Sequence, residues 1–557
     1  MRSKRILAAL LSVALAAPPG VFAQSRAASN TNLALNVQSA EPPLESGPVE
    51  SFADPIVPPD IAQRVFGVYG GAQSRFSGNA SATTGWRVPI VTQQLPDLGN
   101  GGSGSLTPQA ERVMREVRRD PDYLDDWLVR DYLNSVDAKL SAAASALYIG
   151  GYRPDFELFA VRDTQINAFS LPGGFIGVNA GLIVTTQTDS ELASVLGHEM
   201  GHVLQRHISR MITTGEHSSY AALAGLLFGI VAGVLAHSGD LGSAIAIGGQ
   251  AYAVDNQLRF SRFAEHEADR VGFLLLAGAG YDPYAMTTFF GRLDRAAMND
   301  TGIPAYARTH PLTGERIADM ADRARRAPYR QPHQTSEYGF VRARARLLQD
   351  RSRSEYADEI SRLRSEIEDR TAVNVAANWY GIAYGQMLLE RYDDAVASLA
   401  SSRAVFGASE RAERGERGEG GPMCSSPSLD VLAADIARRA GRNDEAARLA
   451  EFAQKRWPQS NAAIDVHIQT LLTLKQFTAA QALALKETRA QPDQPAWWMY
   501  LAQASAGSGD ALTQHRALAE KFALEGAWPS AIRQLKEARD LKVIGYYDLA
   551  TVDARLH

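Results

Sequence analysis

Apolar and polar positions keep no steady period over the first hundred residues of the chain. An apolar run covers residues 6–17; residues 24–107 are then dominated by Ser, Asn, Gly, Pro and Gln, with PPLESGP and GNGGSGS stretches. A segment of this kind buries too little apolar surface to offset the entropy of ordering it, and it reads as a disordered tether. Near Thr107 the pattern changes. Residues 111–117 and 123–140 carry apolar side chains at three- and four-residue spacing, which predicts helix. Residues 156–161, 166–171 and 175–178 read as short strands, the last two joined across a Pro172-Gly173-Gly174 turn. Thr188 followed by Glu191 has the form of a capping box, and it opens a predicted helix running through Leu192, Val195, Leu196, Met200 and Leu204. Residues 220–236 are apolar and glycine-rich, a further helix is predicted over 262–276, and more follow to about 330.

The C-terminal third repeats itself. Ala446, Ala450 and Pro458 recur 34 residues later as Ala480, Ala484 and Pro492, which is the tetratricopeptide period. Trp379, Ala395 and Leu399 fit that frame upstream, and Ala531, Leu535 and Ala538 suggest a degenerate copy near the end. A charged Gly/Glu/Arg stretch, 411–421, interrupts the array as an exposed loop. The expected organisation is a signal peptide (1–23), the tether (24–107), a chemistry-bearing domain (108–330), a helical connector (331–370) and a repeat domain (371–557).

Composition narrows the function. The 557 residues are 45% hydrophobic and 21% charged with net charge −5, so no basic excess points to a nucleic-acid partner. One cysteine, Cys424, excludes an internal disulfide framework and a cysteine-built zinc site. Arg2, Lys4 and Arg5 ahead of the apolar run, with Val21-Phe22-Ala23 after it, form a secretory signal whose core is too short to span a bilayer. The expected location is the periplasm. Residues 220–236 number only 17, at the lower limit for a span, and read as a buried or peripherally membrane-touching hairpin.

Seven of the eleven histidines lie between residues 198 and 310. His198-Glu199-Met200-Gly201-His202 is H-E-x-x-H within a helical pattern. Residues four apart share a helical face, so two imidazoles can reach one zinc ion while Glu199 is placed to take a proton from its water. His207 falls off that face and is expected to be solvated. Gly197 and Gly201, four apart on this helix, predict the close approach of another backbone.

Together with Ser261-Arg-Phe-Ala-Glu265-His-Glu-Ala-Asp269, this motif resembles the Ste24-like and HtpX-like zinc peptidases, gluzincins that pair HExxH with a Glu-x-x-x-Asp helix. The resemblance implies a mixed α/β, mostly α, gluzincin fold with a small sheet, followed here by an α-helical tetratricopeptide solenoid. It implies one zinc ion held by His198, His202 and Glu265, with Asp269 orienting a ligand histidine. Glu267 and His266 compete for the third place; helical spacing from Asp269 favours Glu265. Asn167-Ala168-Phe169 before Pro172-Gly173-Gly174 matches the family segment beside the strand that holds extended peptide. His310, in Arg308-Thr-His310-Pro311 ahead of Arg316-Ile317, matches a loop whose histidine can occupy the open zinc position. The alternatives to this latch are a donor to the transition-state oxyanion and a partner for a buried backbone carbonyl. Periplasmic relatives that join this peptidase to tetratricopeptide repeats imply unfolded or stalled outer-membrane proteins as substrates and the barrel-assembly machinery as a partner. The rival is a chaperone that works mainly through its repeats, its zinc site latched.

Overall fold

The computed structural model describes residues 114–147, 149, 155–171, 173–207, 262–298, 304–328, 335–413, 425–541 and 545–556. The signal segment, the tether and the 220–236 stretch lie outside the described residues. Within them the chain is mostly helical with one small sheet, the fold class expected.

Helix α1 (Trp127–Ala146) starts later than its apolar period suggests, because Asp126 accepts the Val129 N–H at 3.2 Å and caps it there, while Tyr123 bridges to Val161. Strands β1 (Glu157–Val161), β2 (Ala168–Ser170) and β3 (Phe175–Asn179) form a sheet of order β1-β3-β2. The central β3 is buried throughout, parallel to β1 and antiparallel to β2. The β2–β3 turn places Gly173 and Gly174 at φ 92°, a region that side-chain-bearing residues avoid. Phe169 lies over Gly177, where a Cβ would meet the ring at 2.2 Å, so glycine there seats the aromatic ring.

From β3 the chain runs into α2 (Ala180–Thr185) and α3 (Asp189–Leu204), all sixteen residues of which are buried. The expected capping box is half formed. Thr188 Oγ1 accepts the Glu191 N–H at 3.1 Å, but the Glu191 carboxylate accepts from Gln187 N–H at 2.6 Å and pairs with Arg292 instead of returning to Thr188. Helix α4 (Arg262–Gly278) packs on α3 at backbone distance. A Cβ on Gly201 would lie 2.9 Å from Ala268 O, and one on Gly272 would lie 2.8 Å from His198 N. The glycines on α3 thus meet the neighbour their spacing predicts. Helices α5 (Ala285–Met298), α6 (Ala305–Thr309) and α7 (Gly314–Arg326) complete this shell.

Helix α8 (Ser336–Gln349) serves two cores. Tyr338, Val341 and Ala345 pack on α1 and α2 within the core that backs the sheet, while Phe340, Ala343 and Leu347 face α9 (Arg353–Glu368), α10 (Val375–Leu388) and α11 (Tyr392–Glu413). Hairpins then follow: α12 (Pro427–Arg439), α13 (Asn443–Arg456), α14 (Asn461–Thr473), α15 (Phe477–Ala490), α16 (Pro495–Ser508), α17 (Ala511–Leu524), α18 (Trp528–Arg539) and α19 (Tyr546–Leu556). Helices α12, α14 and α16 begin 34 residues apart, as do α13, α15 and α17. Ala446, Ala450, Ala480 and Ala484 sit where paired helices touch and are buried. The array packs against α1: Trp127 stacks on Trp497 at 4.7 Å, and Asp131 accepts from Ser460, Asn461 and the Ala462 N–H at the start of α14. Among the described residues no helix is long and apolar enough to cross a membrane.

Candidate metal centre

The glycine-mediated contact of α3 with α4 brings the two sequence motifs together. One ligand atom each from His198, His202, Glu265 and His310 lies within 4.8 Å of the others, and all four residues are buried. His198 Nε2 is 3.0 Å from His202 Nε2, 3.5 Å from Glu265 Oε2 and 3.4 Å from His310 Nδ1. Glu265 Oε1 is 3.7 Å from His202 Nε2 and 3.1 Å from His310 Nδ1. Four donors about 2.0–2.1 Å from a common centre in a tetrahedron stand roughly 3.3 Å apart, so the spacing and the N₃O donor set fit a divalent metal ion.

Of the three rivals on α4, Glu265 enters the cluster. Glu267 turns to His207, with 3.0 Å between Oε2 and Nε2. His266 is half-buried and outside the group. Asp269 reaches past the cluster: its Oδ1 lies 3.0 Å from His198 Nδ1. The expectation that His207 is solvated is wrong. It is 3% exposed, its Nδ1 is 2.7 Å from His202 Nδ1, and the turn that closes α3 folds it back beneath that ring. Helical spacing placed it on another face; leaving the helix after Leu204 is what returns it.

Arg316, 1% exposed at the start of α7, was not assigned a role from the sequence. Its Nε and Nη2 donate to Asp269 at 2.7 and 2.8 Å, and its Nη1 lies 2.9 Å from Glu265 Oε2 while donating to Pro311 O at 2.7 Å. A signal existed: Arg316 shares a helical face with Met320 and Ala324, so a cation stands on an otherwise apolar stripe. Tyr306 joins the site without a motif that marks it. Its ring stacks on His310 at 4.7 Å, and its N–H donates to Ile166 O, tying the His310 segment to the approach of β2.

The protonation pattern follows from burial among charges. Burial pushes Glu199 up, against the pull of His310 and His198. Burial also opposes ionisation of Asp269 and Glu265, yet Arg316 holds Asp269 below its ordinary range, and His310 and His198 hold Glu265 well below. Burial and the neighbouring His198 press His202 well below the usual histidine value. Burial works against a charged His198 as well, but the Asp269 and Glu265 carboxylates raise it to about 9. Glu199 Oε1 lies 3.4 Å from His310 Nε2, beside the cluster. A buried carboxyl of raised affinity for protons, next to a cluster that suits a metal, can accept a proton from water and return it.

Ala168 and Phe169 lie on β2, with Asn167 just before it. Asn167 O accepts from Asn179 N–H and Leu171 N–H donates to Phe175 O, so these two face β3. By the alternation of an antiparallel pair, the backbone groups of Ala168 and Ser170 point the other way, along the edge.

Residues 133–324 match peptidase family M48. The chain is 28% identical over 499 residues to the beta-barrel assembly-enhancing protease of Yersinia pestis, covering 86% of this chain and 94% of the relative. It is 27% identical over 492 residues to the protein of the same name from Escherichia coli (strain K12), covering 86% of this chain and 94% of that one. It is 31% identical over 195 residues to the metalloprotease LoiP of the same strain, which spans 34% of this chain and 71% of the relative.

Proposed function

Since the chain belongs to peptidase family M48 and is a metalloprotease, we propose that it is a zinc endopeptidase of the periplasm acting on outer-membrane proteins that are misfolded or stalled in assembly. His198, His202 and Glu265 hold the zinc; when bound, the ion lowers the pKa of water and polarises the scissile carbonyl. The convergence of these three residues beside Glu199 is the observation that carries the reading. Substrate lies as an added strand along β2, hydrogen-bonded to the backbone of Ala168 and Ser170, a mode that asks little of its sequence. Asn167 and Phe169 position that strand from within the sheet. Glu199 takes the proton of the attacking water and delivers it to the leaving amine. Asp269, fixed by Arg316, orients the His198 ring. The tetratricopeptide repeats recruit the substrate and the barrel-assembly machinery, a role suggested by relatives named for enhancing barrel assembly.

A second reading rests on His310. With its Nδ1 among the four clustered atoms, the donor set is filled by protein and no position faces substrate. His310 is then a latch, and the chain in this form is a chaperone or assembly factor working through its repeats until the α6 segment lifts away. Glu199→Gln separates the two: turnover of an unfolded outer-membrane protein should fall about 10²–10⁴-fold with zinc retained. Undiminished turnover would overturn the role of Glu199. Rescue of outer-membrane assembly by this variant would favour the chaperone. His310→Ala should raise peptide cleavage at unchanged zinc content; a fall in cleavage would make His310 a donor to the oxyanion instead.

A further inference from the structure

We propose that His207 and Glu267 are positioning residues for the metal: a carboxylate–imidazole arm that fixes the His202 ring from behind. The inference rests on the zinc reading above but assigns residues which that reading leaves out. His202 presents Nε2 to the cluster and Nδ1 to His207 Nδ1 at 2.7 Å; His207 Nε2 in turn stands 3.0 Å from Glu267 Oε2. All three residues are at most 3% exposed.

The bonding pattern has one self-consistent assignment when a metal takes the lone pair on His202 Nε2. The His202 proton must then sit on Nδ1, which donates to His207 Nδ1. His207 carries its own proton on Nε2 and donates it to the Glu267 carboxylate. Each group in the chain is satisfied, and the terminal carboxylate raises the basicity of the ligand imidazole. The reverse tautomer would put a hydrogen on the nitrogen that faces the cluster. His198 has a parallel provision in Asp269, 3.0 Å from its Nδ1. Helix α4 therefore supplies a cluster carboxylate, Glu265, and a backing carboxylate for each α3 histidine: Glu267 through His207, and Asp269 directly. A plain buried ion pair would need only His207 and Glu267; it would not need His207 to aim its other nitrogen at a ligand.

Chelator competition on the full-length protein, with zinc as the probe, tests the arm. His207→Leu fills the space but cannot accept a hydrogen bond, and zinc affinity should fall about 10–100-fold. His207→Gln offers a carbonyl to His202 and an amide to Glu267, and should recover most of the loss. The visible spectrum of the cobalt-substituted protein should shift in the leucine variant and return in the glutamine variant. Wild-type affinity in folded His207→Leu, with only the melting temperature of the metal-free protein lowered, would overturn the proposal and leave a structural ion pair. Should His207→Leu fail to fold, Glu267→Gln decides: it should keep one zinc per chain at several-fold weaker affinity, and unchanged affinity would refute the arm. A wild-type protein that binds no zinc would instead defeat the reading of the site itself.

Discussion

Arg316 balances the negative charge buried at the base of the cluster. With its fork on Asp269, it is the guanidinium that lets that carboxylate stay ionised out of water, and its third nitrogen near Glu265 adds to the histidines that hold Glu265 ionised. Arg316→Met should leave two buried acids poorly compensated, at a cost of about 3–5 kcal/mol. The urea midpoint of the metal-free protein measures this, and a change below the experimental error would show the acids to be neutral. Arg316→Lys should recover little, because a single ammonium cannot reproduce a two-pronged contact with Asp269. Away from this cluster, Asp465 on α14 makes a pH-dependent contribution. Burial pushes its carboxyl from 3.8 up to about 6, despite hydrogen bonds from Tyr500 and Gln469. Between those values the unfolded chain has released a proton that the folded one keeps, so this group's contribution to stability falls as pH rises from about 4 to about 6. Since the residue is partly exposed, the loss should be on the order of 1–2 kcal/mol. Comparing Asp465→Asn with wild type by denaturant titration at pH 4 and pH 7 would show it; equal slopes against pH would mean the carboxyl titrates normally.

At the scale of elements, the site depends on how closely α3 and α4 approach. The contact is made by glycine against backbone, and backbone cannot swing aside as a side-chain tip can. Gly272→Ala should force the helices apart near His198, costing about 1–3 kcal/mol and weakening metal binding at the same time. Calorimetric melting with and without zinc would detect both; a loss of stability with unchanged zinc affinity would show that the ligands ride along with the displaced helix. The short strand β2 depends on a similar device, since Gly177 leaves the space that the Phe169 ring fills. That contact holds the edge strand flat against β3 while leaving the outward backbone of Ala168 and Ser170 free of β3.

Across the whole molecule, the peptidase and the repeats share packing. Trp127 and Leu128 of α1 belong to the core formed with Val431, Ile464 and Trp497, and α8 divides its apolar residues between two clusters. Solenoid repeats usually contact only their neighbours, but here Asp131 also caps the first turn of α14. Removing residues 427–556 would expose Trp127 and Leu128 and leave Asp131 without its α14 partners. We expect the shortened chain to melt at a lower temperature than the full one, followed by the loss of zinc-dependent protection. An unchanged melting temperature for the peptidase would show that α1 needs none of these contacts.

The sequence by itself determined whatever depends on local spacing. Two histidines four apart had to share a face of α3, the 34-residue interval had to return as evenly placed hairpins, and Gly197 with Gly201 had to mark a close neighbour. The resemblance carried by the second motif singled out Glu265, because that motif lies on a helix whose register is local too. What only the tertiary structure decided are the contacts between segments that the chain separates widely. The resemblance pointed His310 toward the metal, but its reach to His198 across 112 residues, like that of Arg316 to Asp269 across 47, is decided by the fold. His207 misled for the same reason: a residue five past His202 faces elsewhere only while the helix continues, and the helix stops at Leu204. Periodicity can say which side of a helix a residue occupies. Where that side points, and which charge waits there, depends on burial shared among distant segments, and no local pattern records it.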